Sequence, residues 1–191
     1  MSDTLLYLHG FTSGPQSRKA QALKERMAAT GRGDAFVCPQ LPPSPAAAIA
    51  LAEEIIAARP GPLALVGSSL GGYYATHLAE RHGCRAVLVN PAVVAHIQLA
   101  DYVGPHRNLY SGEEFEFTPA HIEELRAIEV PALSRPENFW VLLETGDETL
   151  DYRQAVARYR GARQTVLAGG DHSFTRWDAC LDAVIDFAFE G

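Results

Sequence analysis

Gly67-Ser68-Ser69-Leu70-Gly71 places a serine between glycines two residues before it and two after, and the segment joins the apolar run Leu63 to Val66 to a helix-forming stretch, Gly72 to Arg81. A strand, a sharp turn and a helix in that order present a serine hydroxyl at the tip of the turn. Such a turn strains the serine backbone and draws neighbouring chain so close that flanking side chains would collide. Ser69 meets the glycine requirement. Ser68, with Val66 and Leu70 in the equivalent places, does not. Ser69 is therefore the candidate nucleophile, weighed against a glycine-rich loop with incidental serines.

A serine hydroxyl is a weak nucleophile at neutral pH and needs a base, itself oriented by a carboxylate. In an α/β-hydrolase the acid and then the histidine follow the serine along the chain, each on a loop after a strand. Asp147 stands just past the run Trp140 to Leu143, and His172 just past Thr165 to Leu167. Asp147 is favoured on this placement over three other carboxylates. Asp171 is adjacent to His172 in an extended loop, Asp151 suits a helix N-cap, and Glu144 belongs to the strand or its edge. His77 and His82 lie on the helix after the elbow, and His96, His106 and His121 could at most touch substrate. No pair of histidines has the spacing of a helical zinc site, so neither metal nor cofactor is expected. An oxyanion needs N–H donors; the Leu70 N–H follows the nucleophile, and the Phe11 N–H follows a turn at His9-Gly10.

The elements that must position these groups alternate along the chain. Strands are expected at Leu5 to Leu8, Ala35 to Cys38, Leu63 to Val66, Ala86 to Val89, Phe139 to Leu143 and Gln164 to Leu167. Helices are expected at Ser17 to Ala29, Ala46 to Arg59, Gly72 to Arg81, Asp151 to Tyr159 and Thr175 to Phe189. Strict alternation with near-continuous apolar strands predicts a parallel sheet covered on both faces. Residues 91–138 break the rhythm: no convincing strand is visible there, only one helix, Pro119 to Ile128, in a mixed aromatic and acidic segment. So long an insertion is either a cap over the site or an embellishment on the sheet edge.

Composition bounds the rest. The chain has 191 residues, 47% of them hydrophobic and 20% charged, which suits one globular domain, 1–191, carrying the cap-like insertion. A net charge of −7 argues against nucleic-acid or anionic-membrane partners, and the partner expected from the serine and its base is a small-molecule substrate. Cys38, Cys84 and Cys180 are odd in number and lack metal spacing, and with no basic, apolar leader or membrane-length run the expected compartment is the cytoplasm.

The chain also resembles the YqiA/YcfP-like bacterial esterases of the α/β-hydrolase superfamily, nearly end to end. The likeness rests on Leu6-Tyr7-Leu8-His9-Gly10-Phe11 with Ser17 and Lys19-Ala20, on Gly67 to Thr76, and on Val89-Asn90-Pro91-Ala92-Val93. It continues at Tyr110-Ser111-Gly112-Glu113, at Thr145 to Glu148 with Leu150 to Arg153, and at Gly169 to Phe174. The resemblance implies a triad of Ser69, Asp147 and His172, a six-stranded sheet in the order 2-1-3-4-5-6, and action on carboxylic esters or acyl thioesters. His9, Gly10, Tyr73 and Tyr110 are the candidate substrate contacts. Thr12-Ser13-Gly14 and Leu109 depart from the family pattern close to the expected acyl pocket. Two other functions fit the same residues: acyl transfer or perhydrolysis by the same triad, and a non-catalytic ligand-binding module on the same fold.

Overall fold

Thr4–Leu8 forms the first strand, β1, in a computed structural model that describes residues 3–189. Every residue of β1 is buried, because its alternate side chains feed two separate cores. Leu6 and Leu8 join one core, Leu5 and Tyr7 the other. The same two-residue period runs through β3 (Leu63–Ser68), β4 (Arg85–Val89) and β7 (Phe139–Glu144). A strand buried on both faces has no polar side to show, which is why the middles of these runs are apolar and their polar residues, Thr4, Ser68, Arg85 and Glu144, stand at the ends.

The main sheet has six strands, all parallel, in the order β2-β1-β3-β4-β7-β8, with β2 at Phe36–Val37 and β8 at Arg163–Leu167. Helix α1 (Arg18–Ala29) and helix α7 (Trp177–Phe189) cover one face. Helices α2 (Pro45–Ala58), α3 (Leu70–His82) and α6 (Tyr152–Arg158) cover the other. The helix ends follow local chemistry: Ser44 Oγ accepts the Ala47 N–H at 3.1 Å with Pro45 in the first turn, and Gly83, at φ 65°, ends α3 in the left-handed conformation.

Within residues 91–138 the structure corrects the sequence expectation. Two strands are present, β5 (Gly104–Arg107) and β6 (Glu114–Phe117), paired antiparallel as a hairpin apart from the main sheet. They intervene in the chain, so the last two members of the sheet order carry the numbers 7 and 8 rather than 5 and 6. Each is only four residues long, and β5 contains Pro105, which disguised it. The alternation Glu114-Phe115-Glu116-Phe117 was the available signal, with Phe117 fully buried and both glutamates exposed. Helix α4 (Ala95–Gln98) precedes the hairpin and α5 (Pro119–Ala127) follows it, opened by a capping box between Thr118 and His121.

Candidate active site

Three strand ends and one helix start converge on Ser69. The residue is the N-cap of α3, at φ 55° and ψ −121°, a conformation that a non-glycine residue adopts only when its surroundings impose it. They do. Ser69 N donates to Val89 O at 3.0 Å, and Ser69 O accepts from Gly72 N at 2.9 Å and Ala92 N at 3.0 Å. A side chain at Gly67 would collide with the Gly71 carbonyl, and one at Gly71 with the Leu8 carbonyl. The elbow thus interlocks β1, β3 and β4, and no larger residue fits at either glycine.

His172 lies beside it on the loop after β8. Its Nε2 is 3.0 Å from Ser69 Oγ, and its Nδ1 is 2.9 and 2.8 Å from the two carboxylate oxygens of Asp147. The Asp147 side chain is 2% exposed, and its Oδ1 also accepts the N–H groups of Thr149 at 2.9 Å and Leu150 at 2.8 Å. Those bonds keep the carboxylate aimed at the ring. A carboxylate on Nδ1 fixes the tautomer that leaves Nε2 free to accept a proton from a hydroxyl.

The loop that carries His172 is itself tied to buried polar groups. Glu144, at the end of β7, has a side chain with 0% exposure. It accepts from the N–H groups of Asp171 at 2.9 Å and Thr175 at 3.0 Å, and from the Thr175 hydroxyl at 2.9 Å. Burial alone would raise its pKa, but these donors and Arg176 outweigh that and hold the carboxyl below its ordinary range. Asn90, at φ 40° and 2% exposed, donates through Nδ2 to the carbonyls of Asp171 at 3.0 Å and His172 at 3.2 Å. Its Oδ1 accepts the Glu144 N–H at 3.0 Å. Gly170, at φ 73°, passes so close to the Glu144 carboxylate that any side chain there would strike it.

Around Ser69 and His172 opens a cavity of about 510 Å³. Gly10, Phe11 and Leu70 line it beside the serine, and a Cβ placed on Gly10 would sit 3.2 Å from Ser69 Cβ. Leu70 starts α3, where the first N–H groups have no intrahelical acceptor, and the Phe11 N–H meets no protein acceptor among the described residues. The insertion contributes Leu99, Tyr102, Leu109 and Tyr110 to the wall.

The model of UPF0227, an uncharacterised protein family, matches residues 4–189. The chain belongs to this family. The match agrees with the resemblance to the YqiA/YcfP-like proteins, and solved structures extend it to the fold. This UPF0227 chain is similar to a protein of Agrobacterium vitis S4 described provisionally as a hydrolase, with 21% identity, a TM-score of 0.74, and coverage of 98% of this chain and 88% of that one. It is similar to mouse alpha/beta hydrolase domain-containing protein 10, with 17% identity, a TM-score of 0.73, and coverage of 97% and 90%. It is also similar to Est1E from Butyrivibrio proteoclasticus, with 15% identity, a TM-score of 0.70, and coverage of 99% and 88%. At these identities the likeness establishes an α/β-hydrolase fold.

Not every expected site residue lies where the sequence suggested. Gly10 and Tyr110 line the cavity of this UPF0227 member. Tyr73 does not: it is 4% exposed, and its hydroxyl donates to Leu125 O at 3.0 Å, so it anchors α5 within the core and is no substrate contact. His9 borders the cavity, but both its ring nitrogens are engaged. Nδ1 donates to Gly10 O at 2.9 Å and Nε2 accepts the Leu41 N–H at 2.9 Å, and burial lowers its pKa. Its ring ties the turn after β1 to the chain after β2 and leaves substrate no polar handle. Asp171 turns its carboxylate to the Ser173 N–H at 2.8 Å, and Asp151 caps α6 through the Arg153 N–H at 3.0 Å. Among the described residues, His9 and His172 are the histidines that line the cavity. Among the described residues no three His, Cys, Asp or Glu side chains gather as metal ligands, and no helix is long and apolar enough to cross a membrane. Asn90 and Glu144 are the residues that sequence reasoning missed. Their signal was slight: an asparagine directly after an apolar strand, and an acid closing another.

Proposed function

We propose that this protein is a serine hydrolase that cleaves carboxylic esters or acyl thioesters through an acyl-enzyme. The observation that carries the reading is the unbroken line Asp147–His172–Ser69, 2.8 and 3.0 Å per step, opening on one cavity. The neighbouring fold is home to esterases and lipolytic enzymes: Est1E has been captured with ferulic acid, and LipS and LipT are described as lipolytic. Ser69 Oγ attacks the substrate carbonyl while His172 Nε2 takes the hydroxyl proton and Asp147 stabilises the imidazolium. The N–H groups of Leu70 and Phe11 bind the oxyanion. His172 then returns the proton to the departing alcohol or thiol, leaving an ester on Ser69. Water, deprotonated by the same nitrogen, attacks that ester; the carboxylic acid leaves and Ser69 regains its proton.

A fluorophosphonate probe tests the assignment. Ser69 should carry the adduct by peptide mapping, and Ser69→Ala should lose both labelling and ester turnover, on the order of 10⁴-fold or more in kcat. An adduct on Ser68, or turnover that survives the substitution in a folded protein, overturns it.

A further inference from the structure

One corner of the cavity is not used by the chemistry above. Ser17, Arg18 and Lys19, at the N-terminal end of α1, form part of the cavity wall. Ser17 occupies the N-cap position, where a serine hydroxyl ordinarily accepts a backbone N–H of the first turn, yet it makes no such bond. It is 8% exposed, and its Oγ is buried with no hydrogen-bond partner among the described residues. Ser17 N is already spent on Gly14 O at 3.0 Å, and Ser17 O accepts Gln21 N at 3.0 Å. The N–H groups of Arg18, Lys19 and Ala20 have no acceptor within their helix and meet none elsewhere among the described residues. No acidic residue stands in that first turn.

We propose that this corner is a subsite for an anionic group, a carboxylate or a phosphate, carried by the substrate. Two free N–H groups on the cavity wall, those of Arg18 and Lys19 at the positive end of a twelve-residue helix, with the unpartnered Ser17 hydroxyl and the Lys19 ammonium, match the donor set that an anion requires. Lys19 Nζ reaches Ser173 O at 2.7 Å, which places its charge beside the residue after His172. Burial pushes this lysine down to about 8 against the pull of the Asp171, Asp147 and Glu144 carboxylates, and an arriving anion favours its charged form further. Arg18 leans outward, and its charge is met by Asp178 at 2.6 Å. Glu148 faces the same cavity, but its Oε2 accepts the His172 N–H at 3.0 Å.

The inference rests on the ester-cleaving reading and names its substrate class. Two substrate pairs test it and separate the two ends of the substrate. One pair is an aryl hemisuccinate and the matching aryl succinamate; the other is the butyryl ester of 2-hydroxyethyl phosphate and that of ethylene glycol monomethyl ether. In at least one pair the anionic member should show a kcat/KM about tenfold higher, weakening with added salt. That ratio should fall about fivefold or more in Ser17→Ala and in Lys19→Gln. No preference in either pair, or a preference that survives both substitutions, overturns the subsite while Ser69-dependent turnover of the neutral esters keeps the hydrolase reading. Should no ester be cleaved, calorimetric titration of inorganic phosphate and of succinate into Ser69→Ala protein decides the subsite alone. Binding lost when Ser17→Ala is added supports it, and no binding, or binding indifferent to Ser17, removes it.

Discussion

The His172 loop and the residue 91–138 insertion border the same cavity, but different forces hold them there. The His172 loop is fastened by charged and polar side chains withdrawn from water: Glu144 and Asn90 between them engage the backbone of Asp171, His172 and Thr175. The insertion is held largely by apolar edges. Phe11 meets Tyr102, His106, Phe115 and Phe117 edge-on, with ring centroids 4.9 to 6.0 Å apart. Its tip is pinned by Leu109 N to Thr12 O at 2.8 Å and Asn108 Nδ2 to Ser13 O at 2.7 Å, while the Leu109 side chain itself is 79% exposed. Buried hydrogen bonds are directional and costly to leave unmade, so they fix a position to a fraction of an ångström. Aromatic edge contacts are broad in geometry and tolerate repacking. On the proposed reading, the group that would transfer a proton is on the first kind of support, and the wall that would fit a substrate is on the second.

The largest test of that contrast is at the acid. Asp147→Asn keeps the shape of the side chain but favours the wrong imidazole tautomer, and the loss in kcat should be on the order of 10²–10⁴-fold. Asp171→Asn should cost much less, since that carboxylate is turned to Ser173 and not to the imidazole. Both variants should melt within a few degrees of the parent. A reversed order of damage at kcat would mean that the acid is misassigned.

The buried ties come next. Glu144→Gln puts an amide N–H₂ among N–H donors, and should cost about 2–4 kcal/mol of stability by urea denaturation. In protein that remains folded, kcat should also fall, on the order of tenfold, with KM nearly unchanged, because the imidazole shifts while the cavity wall does not. Asn90→Ala should give the same split between kcat and KM. A loss confined to stability, with kcat intact, would reduce both residues to ordinary core polar groups.

What was legible in the sequence follows the same division. Ser69, Asp147 and His172 could be placed because strand, turn and glycine pattern are local signals, and chain order supplied the rest. The parallel sheet was legible because strands buried on both faces are apolar through their middles. Glu144 and Asn90 were not, since their partners are backbone groups of a loop that lies 27 and 81 residues further along the chain. Nothing in a residue's type reports which backbone amides it will meet. Tyr73 stands in a motif next to the site but turns its hydroxyl away to Leu125, whereas His9 lines the cavity and spends its ring nitrogens on Gly10 and Leu41. The hairpin was hidden by its brevity and its proline.

Acid sharpens the contrast from another side. The Glu144 carboxyl sits below its ordinary range in the folded protein, so the stability it adds is fully present above the unfolded value near 4.3 and is lost as pH falls through the lower folded value. Wild-type protein should therefore lose more stability between about pH 5 and pH 3 than Glu144→Gln does. Equal slopes in urea titrations across that window would show that Glu144 is not tied more tightly in the fold than in the unfolded chain.

The smallest effects belong to the insertion. Leu109 and Tyr110 line the cavity yet are 79% and 47% exposed, so removing either side chain leaves little buried surface behind. Leu109→Ser and Tyr110→Ala should change stability by less than about 0.5 kcal/mol, as surface substitutions usually do. Their effect should fall on substrate choice. An acyl chain long enough to reach the wall loses apolar contact worth about 0.8 kcal/mol per methylene left uncovered, so KM for long-chain esters should rise roughly three- to tenfold. Short-chain esters, which end before that wall, should be turned over with nearly the same KM, and kcat should hold for both lengths. A fall in kcat with acetate esters would show that the insertion helps to place His172, and the two supports would then be one. A uniform KM increase across chain lengths would instead mean that these side chains guard the entrance rather than measure the chain.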